Sequence, residues 1–124
     1  MIKSVLFDYL DAYGADMSGI NSRFRGNGDL YGRFFFDFLT EHEFEALNQA
    51  IHTENYEEAF ENAHTLKGLS GNLGLTPLYN ALSVLVETLR KKEYNNIKME
   101  FAEVEKQLQR LMKLAADVKA GQEN

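Results

Sequence analysis

The chain has 124 residues, which suits one domain with a single core and leaves little room for a deep substrate cleft. Apolar residues make up 44% and charged residues 26%, a globular rather than a disordered composition. With 13 Lys and Arg against 19 Asp and Glu, the formal net charge is −6 and no dense basic stripe appears, so nucleic acid is not an expected partner. The absence of cysteine removes a disulfide framework, a thiolate zinc site and a cysteine nucleophile.

A single proline and a pervasive three-to-four-residue apolar period predict an all-α protein. Residues 1–14 form a short amphipathic helix through Val5, Leu6, Tyr9 and Leu10, ending at Gly14 and covering one side of the domain. The run Val5-Leu6-Phe7 is broken by Asp8 and Asp11 too early for a signal-peptide core, and no segment approaches the roughly 20 apolar residues that span a bilayer. A cytoplasmic protein without membrane contact is the expectation. Between 15 and 28, Gly19, Gly26, Gly28, Asn21 and Asn27 indicate short helical turns and a loop.

From Asp29, the residues Leu30, Phe34, Phe38, Phe44, Leu47 and Ile51 recur at mostly helical intervals and predict one long helix to about His52, irregular near Thr40, with Phe35 and Phe36 widening its apolar face. Asn55 caps the next helix with Glu58 three positions on, and that helix runs over 56–73 until Gly74 stops it. Thr76-Pro77 reads as a cap followed by proline at the first helical position, giving a tight turn between antiparallel helices. Leu78, Leu82, Leu85 and Leu89 share one face of the third long helix, which ends at Arg90-Lys91-Lys92, where basic charge suits the helix dipole. Tyr94-Asn95-Asn96 connects to a last helix whose Ile97, Phe101, Val104, Leu108, Leu111, Ala115 and Val118 form a bundle seam, with a frayed polar tail from Ala120. The expected fold is an antiparallel four-helix bundle over 16–120 with an N-terminal helical extension over 1–15.

The chemistry concentrates in His64-Thr65-Leu66-Lys67-Gly68-Leu69-Ser70-Gly71-Asn72-Leu73-Gly74. At about 100° per residue, Tyr56, Ala59, Ala63, Leu66, Ser70 and Leu73 face the core, and His64 falls on the flank with Phe60, Lys67, Gly68 and Gly71. A helical side chain leans toward the N-terminus, so the residue four positions after a histidine normally covers the surface beside the imidazole. Here that residue is Gly68, and Gly71 on the next turn is equally bare. Each interior glycine costs a helix roughly 1 kcal/mol relative to alanine, which implies that something must come close: an outside partner, or a tightly packed neighbouring helix. Lys67, one turn from His64, can stabilise phosphate oxygens on an imidazole, and a neutral imidazole is a competent nucleophile. No P-loop, kinase phosphate loop or Ser-His-Asp arrangement accompanies it, so the site suits a phosphoryl acceptor without autonomous catalysis.

Ala63-His64-Thr65-Leu66-Lys67-Gly68 followed by Gly71-Asn72-Leu73-Gly74 resembles the signature of histidine-containing phosphotransfer (HPt) domains, with the phosphorylated histidine at His64 and the family's lysine and glycine at Lys67 and Gly68. Arg23-Phe24-Arg25-Gly26-Asn27 before Leu30-Tyr31 is similar to the family's approach to its first bundle helix, and Asn55-Tyr56 to the acidic-aromatic pair opening the active helix. The resemblance spans about residues 16–118; the run Phe34-Phe35-Phe36 departs from it and is expected to pack under the N-terminal extension. It implies a monomeric carrier of a two-component phosphorelay. Such a carrier receives a phosphoryl group from the phospho-aspartate of a response-regulator receiver domain and passes it to another, with a hybrid sensor histidine kinase upstream. The receiver docks over Phe60, Gly68 and Gly71 and supplies Mg²⁺, and the carrier itself needs no cofactor. Met1 and the extension favour a separate chain over a module of a larger kinase. Two alternatives stand beside this reading: a non-catalytic helical module that only docks on receiver or kinase domains, and a metal-binding bundle using His42, His52 and His64. The second has the Glu-x-x-His spacing only once, at Glu61 and His64, where di-metal bundles carry it on two helices, so no metal ligand is expected.

Overall fold

The computed structural model describes residues 2–123, with side chains described from 5 to 121, and every regular element among them is helical. The helices are α1 (Ile2–Tyr13), α2 (Met17–Phe24), α3 (Gly28–Phe38), α4 (His42–His52), α5 (Tyr56–Asn72), α6 (Thr76–Lys91) and α7 (Ile97–Glu123), with a 3₁₀ turn at Tyr94–Asn96 before the last. Helix α5 packs between α4 and α6, α6 packs on α7, and α1 lies along α7, making a helical bundle around one core.

Helix α1 forms as the sequence predicts, but its buried face is Leu6, Leu10 and Tyr13, while Val5 and Tyr9 are exposed. The spacing of four and three residues places Tyr13, one turn past Leu10, on the same stripe, where its hydroxyl donates to Gln107 of α7. The glycine-rich stretch is more regular than expected: Asp16 caps α2 by accepting from the Gly19 amide, and Asn27 caps α3 by accepting from Leu30.

The expected helix from Asp29 to His52 is two helices. The Thr40 hydroxyl donates to the Asp37 carbonyl and Glu41 adopts an extended backbone, so the ladder stops after Phe38 and restarts at His42. Phe38 and Phe44 meet edge-on across the break, which keeps the apolar face continuous. The aromatic run divides rather than packing together under α1: Phe35 is buried, Phe36 is half-buried beneath Lys119, and Phe34 is exposed. Tyr31 instead makes the edge contact to Phe7 of α1.

The end of α5 follows the sequence reading closely. Gly74 takes a φ of +69°, the Leu75 amide reaches back to Ser70 and the Gly74 amide to Gly71, a Schellman closure. Leu75 occupies the cap position of α6, one residue before the expected Thr76, so Thr76 and Pro77 form its first turn. Helix α6 buries Leu78, Leu82, Leu85 and Leu89 as expected and closes on Lys92 in the left-handed region. Helix α7 buries all of its predicted seam except the partly buried Leu108, and its helical backbone continues past Ala120 to Glu123.

Candidate functional site

Helix α5 carries the candidate residues. Asn55 opens it: its side-chain oxygen accepts from the Glu58 amide at 3.3 Å, and its amide group donates to the Glu58 carboxylate at 3.0 Å. Ala59, Ala63, Leu66 and Ser70 are fully buried, and the Ser70 hydroxyl is satisfied by the Lys67 carbonyl. Of the predicted core face only Tyr56 is partly exposed, stacked on Tyr94 at 3.8 Å between ring centroids.

On the flank, His64 is exposed, Phe60, Lys67 and Gly71 are partly buried, and Gly68 is open. The Phe60 and His64 rings lie 5.8 Å apart, and Arg90 of α6, itself paired with Glu87, sits over the Phe60 ring at 5.7 Å. A Cβ built on Gly68 would meet nothing within 4 Å, so no neighbouring helix explains that glycine. A Cβ on Gly71 would lie 3.0 Å from two carbons of the Tyr79 ring of α6, closer than ordinary contact. The bare surface expected beside His64 therefore exists at Gly68, while at Gly71 the space is occupied by Tyr79. Close helix packing accounts for the second glycine. Among the described residues, no carboxylate pairs with the Lys67 ammonium; it lies over the Tyr79 ring, 5.8 Å from the centroid.

The C-terminal end of α5 is anchored by residues that sequence reasoning assigned no such role. Arg23 of α2 donates to the carbonyls of Asn72 at 2.9 Å and Gly71 at 3.3 Å, Tyr31 of α3 donates to Leu73 at 2.6 Å, and the Asp16 amide donates to Gly74. Arg23 and Tyr31 thereby satisfy the Asn72 and Leu73 carbonyls, which the helix end leaves without backbone partners, and the Arg23 charge complements the negative end of the dipole. Tyr31 is fully buried, and burial pushes its hydroxyl well above the ordinary tyrosine value against the opposing pull of Arg23. The only advance signal was an Arg-Phe-Arg cluster beside Gly26, which names no target.

The histidines are dispersed in role. His42 opens α4 and, with Glu41 and Glu43, makes a local carboxylate–imidazole group among the described residues, which includes neither His52 nor His64. His52 bonds the Asn48 carbonyl on its own helix. His64 alone has open helix surface and a lysine one turn on.

The bundle thus presents a histidine on the flank of a central helix, beside a bare glycine and a lysine one turn on. The family model of the Hpt domain matches residues 34–118, more than half of the chain, and the chain belongs to this family. The match begins at Phe34, so the Arg23–Tyr31 segment likened to the family above lies outside it. Hpt domains are histidine phosphocarriers of two-component phosphorelays and interact with receiver domains and kinases. No curated protein and no solved structure matches the chain significantly. Among the described residues no helix is long and apolar enough to cross a membrane.

Proposed function

We propose that His64 is the phosphoryl acceptor of this chain, taking the group from the aspartyl phosphate of one receiver domain and passing it to the aspartate of another. The observation that carries this reading is the open surface at Gly68 beside an exposed His64, with Lys67 one turn on, paired with no carboxylate among the described residues. In the forward step an imidazole nitrogen attacks phosphorus, the bond from phosphorus to the carboxylate oxygen breaks, and the carboxylate leaves as the aspartate anion. The reverse step runs on the same atoms. Lys67 supplies fixed positive charge to the phosphoryl oxygens, Phe60 and Gly68 meet the docked receiver, and Gly71 acts through the residue it seats. The receiver supplies Mg²⁺ and the acidic pocket, and a hybrid kinase supplies the phosphate upstream.

The working division is a helical extension over 1–15 and a carrier bundle over 16–120, monomeric and cytoplasmic. Leu6, Leu10 and Tyr13 join the same core as α3 to α7, which makes the extension an integral part of the folded unit.

Incubation with a phosphorylated receiver, followed by acid treatment, tests the assignment. His64→Gln should abolish acid-labile labelling, while His42→Gln and His52→Gln should keep it. Persistent labelling of the His64→Gln protein would overturn it.

A further inference from the structure

Lys67 has a long flexible stem, and a phosphoryl group on His64 gains from its charge only if the ammonium stays near the imidazole. A carboxylate partner would hold it, but would also cancel its charge and repel phosphoryl oxygens. An aromatic face attracts the cation through its quadrupole and leaves the full positive charge in place. We propose that Tyr79, seated against α5 by Gly71, is a positioning residue that holds Lys67 ready for the phosphoryl group on His64. The proposal rests on the phosphocarrier reading above and adds to it a residue on the neighbouring helix.

Three observations converge on the same ring. The Lys67 Nζ lies 5.8 Å from the Tyr79 centroid, within the range of a cation–π contact. The ring packs so closely on α5 that a Cβ at position 71 would stand 3.0 Å from its Cδ1 and Cε1 atoms, so glycine is what lets the ring settle there. The Tyr79 backbone is itself fixed in the first turns of α6, its amide donating to Leu75 at 2.8 Å and its carbonyl accepting from the Ser83 hydroxyl at 2.8 Å. Lys67 and Gly71 are one turn apart on α5, and Tyr79 bridges them from outside. Tyr79 remains 36% exposed and Lys67 is only partly buried, so the ammonium stays accessible to a docked phosphate.

The test is single-turnover transfer from a phosphorylated receiver to the full chain, with the saturated rate and the half-saturating receiver concentration measured separately, alongside thermal unfolding. Tyr79→Leu keeps bulk and loses the aromatic face; it should lower the saturated rate about two- to fivefold, the size of an exposed cation–π contact, with the half-saturating concentration unchanged. Tyr79→Phe keeps the face and should transfer at the wild-type rate. In a Lys67→Ala background, Tyr79→Leu should cause no further loss. The proposal is overturned if Tyr79→Leu slows transfer equally with and without Lys67, if it raises only the half-saturating concentration, or if Tyr79→Phe is as slow as Tyr79→Leu at unchanged stability. If the wild-type chain takes no phosphoryl group from any receiver, the phosphocarrier reading falls first and this inference with it. A labelled wild type with an indifferent Tyr79→Leu removes this inference alone.

Discussion

Residues 64–68 and 71–74 belong to the same stretch of α5 and its exit, and both contain glycine where a helix would prefer alanine, yet their surroundings are opposite. Around Gly68 there is nothing within 4 Å of where a Cβ would be. At Gly71 the Tyr79 ring fills that place, and at Gly74 the Ile20 side chain and the Asp16 carbonyl do. The lower stretch is tied to α2, α3 and α6 by Arg23, Tyr31, Asp16 and Tyr79; the upper one is left free on its outer flank. The anchoring offsets the local cost of interior glycines, each roughly 1 kcal/mol in helix propensity, and so lets His64 sit on bare helix without the helix fraying.

The largest effect expected from breaking this contrast is on the anchored side. Gly74→Ala imposes a left-handed conformation on a residue with a side chain, at about 1–2 kcal/mol, and drives its Cβ to 2.7 Å from Ile20, where overpacking costs about 1–3 kcal/mol more. Urea unfolding should show a loss of about 2–5 kcal/mol; a loss under about 1 kcal/mol would mean that the turn adapts and the anchor is loose.

On the free side the same kind of change should leave folding alone and strike transfer. Gly68→Gln projects a side chain over the imidazole and should slow phosphotransfer tenfold or more, equivalent to about 1.4 kcal/mol, with stability equal to or slightly above wild type. Unfolding of this variant would move Gly68 to the anchored class, and wild-type transfer would remove its steric role.

The smallest effect probes a single anchor. Tyr31→Phe loses one buried hydrogen bond to the Leu73 carbonyl and should cost about 1 kcal/mol at pH 7. Burial raises the Tyr31 hydroxyl above its ordinary value of 10, so the unfolded chain releases that proton first and wild-type stability falls as pH rises above 10. The variant lacks this contribution, and the stability gap to wild type should narrow above pH 10. Tyr13, pushed up to about 12 mainly by burial, keeps its own share of the alkaline fall in both proteins. A gap that stays constant to pH 11 would show that Tyr31 is not the buried anchor.

Much of this was legible in advance because it depends on neighbours along the chain. The cap at Asn55, the stop at Gly74, the leucine face of α6 and the exposed flank bearing His64, Lys67 and Gly68 all follow from periodicity and from local hydrogen-bond chemistry within a few residues. The break after Phe38 was half visible: the step from Phe38 to Phe44 is six residues, off the helical period, but the extended backbone at Glu41 that interrupts the ladder appears only in three dimensions. The α1 stripe keeps Leu6 and Leu10 but gains Tyr13, whose hydroxyl bonds Gln107, 94 residues away.

The amino-acid order by itself determined an all-helical chain, the helix that carries the histidine and the face on which that histidine emerges, since a 3.6-residue period fixes direction from sequence alone. What Gly71 is for, what holds the end of α5 and what Lys67 rests on were decided only in three dimensions. Each depends on a residue from another helix, Tyr79, Arg23 or Tyr31, and a glycine looks the same in sequence whether the space beside it is empty or filled.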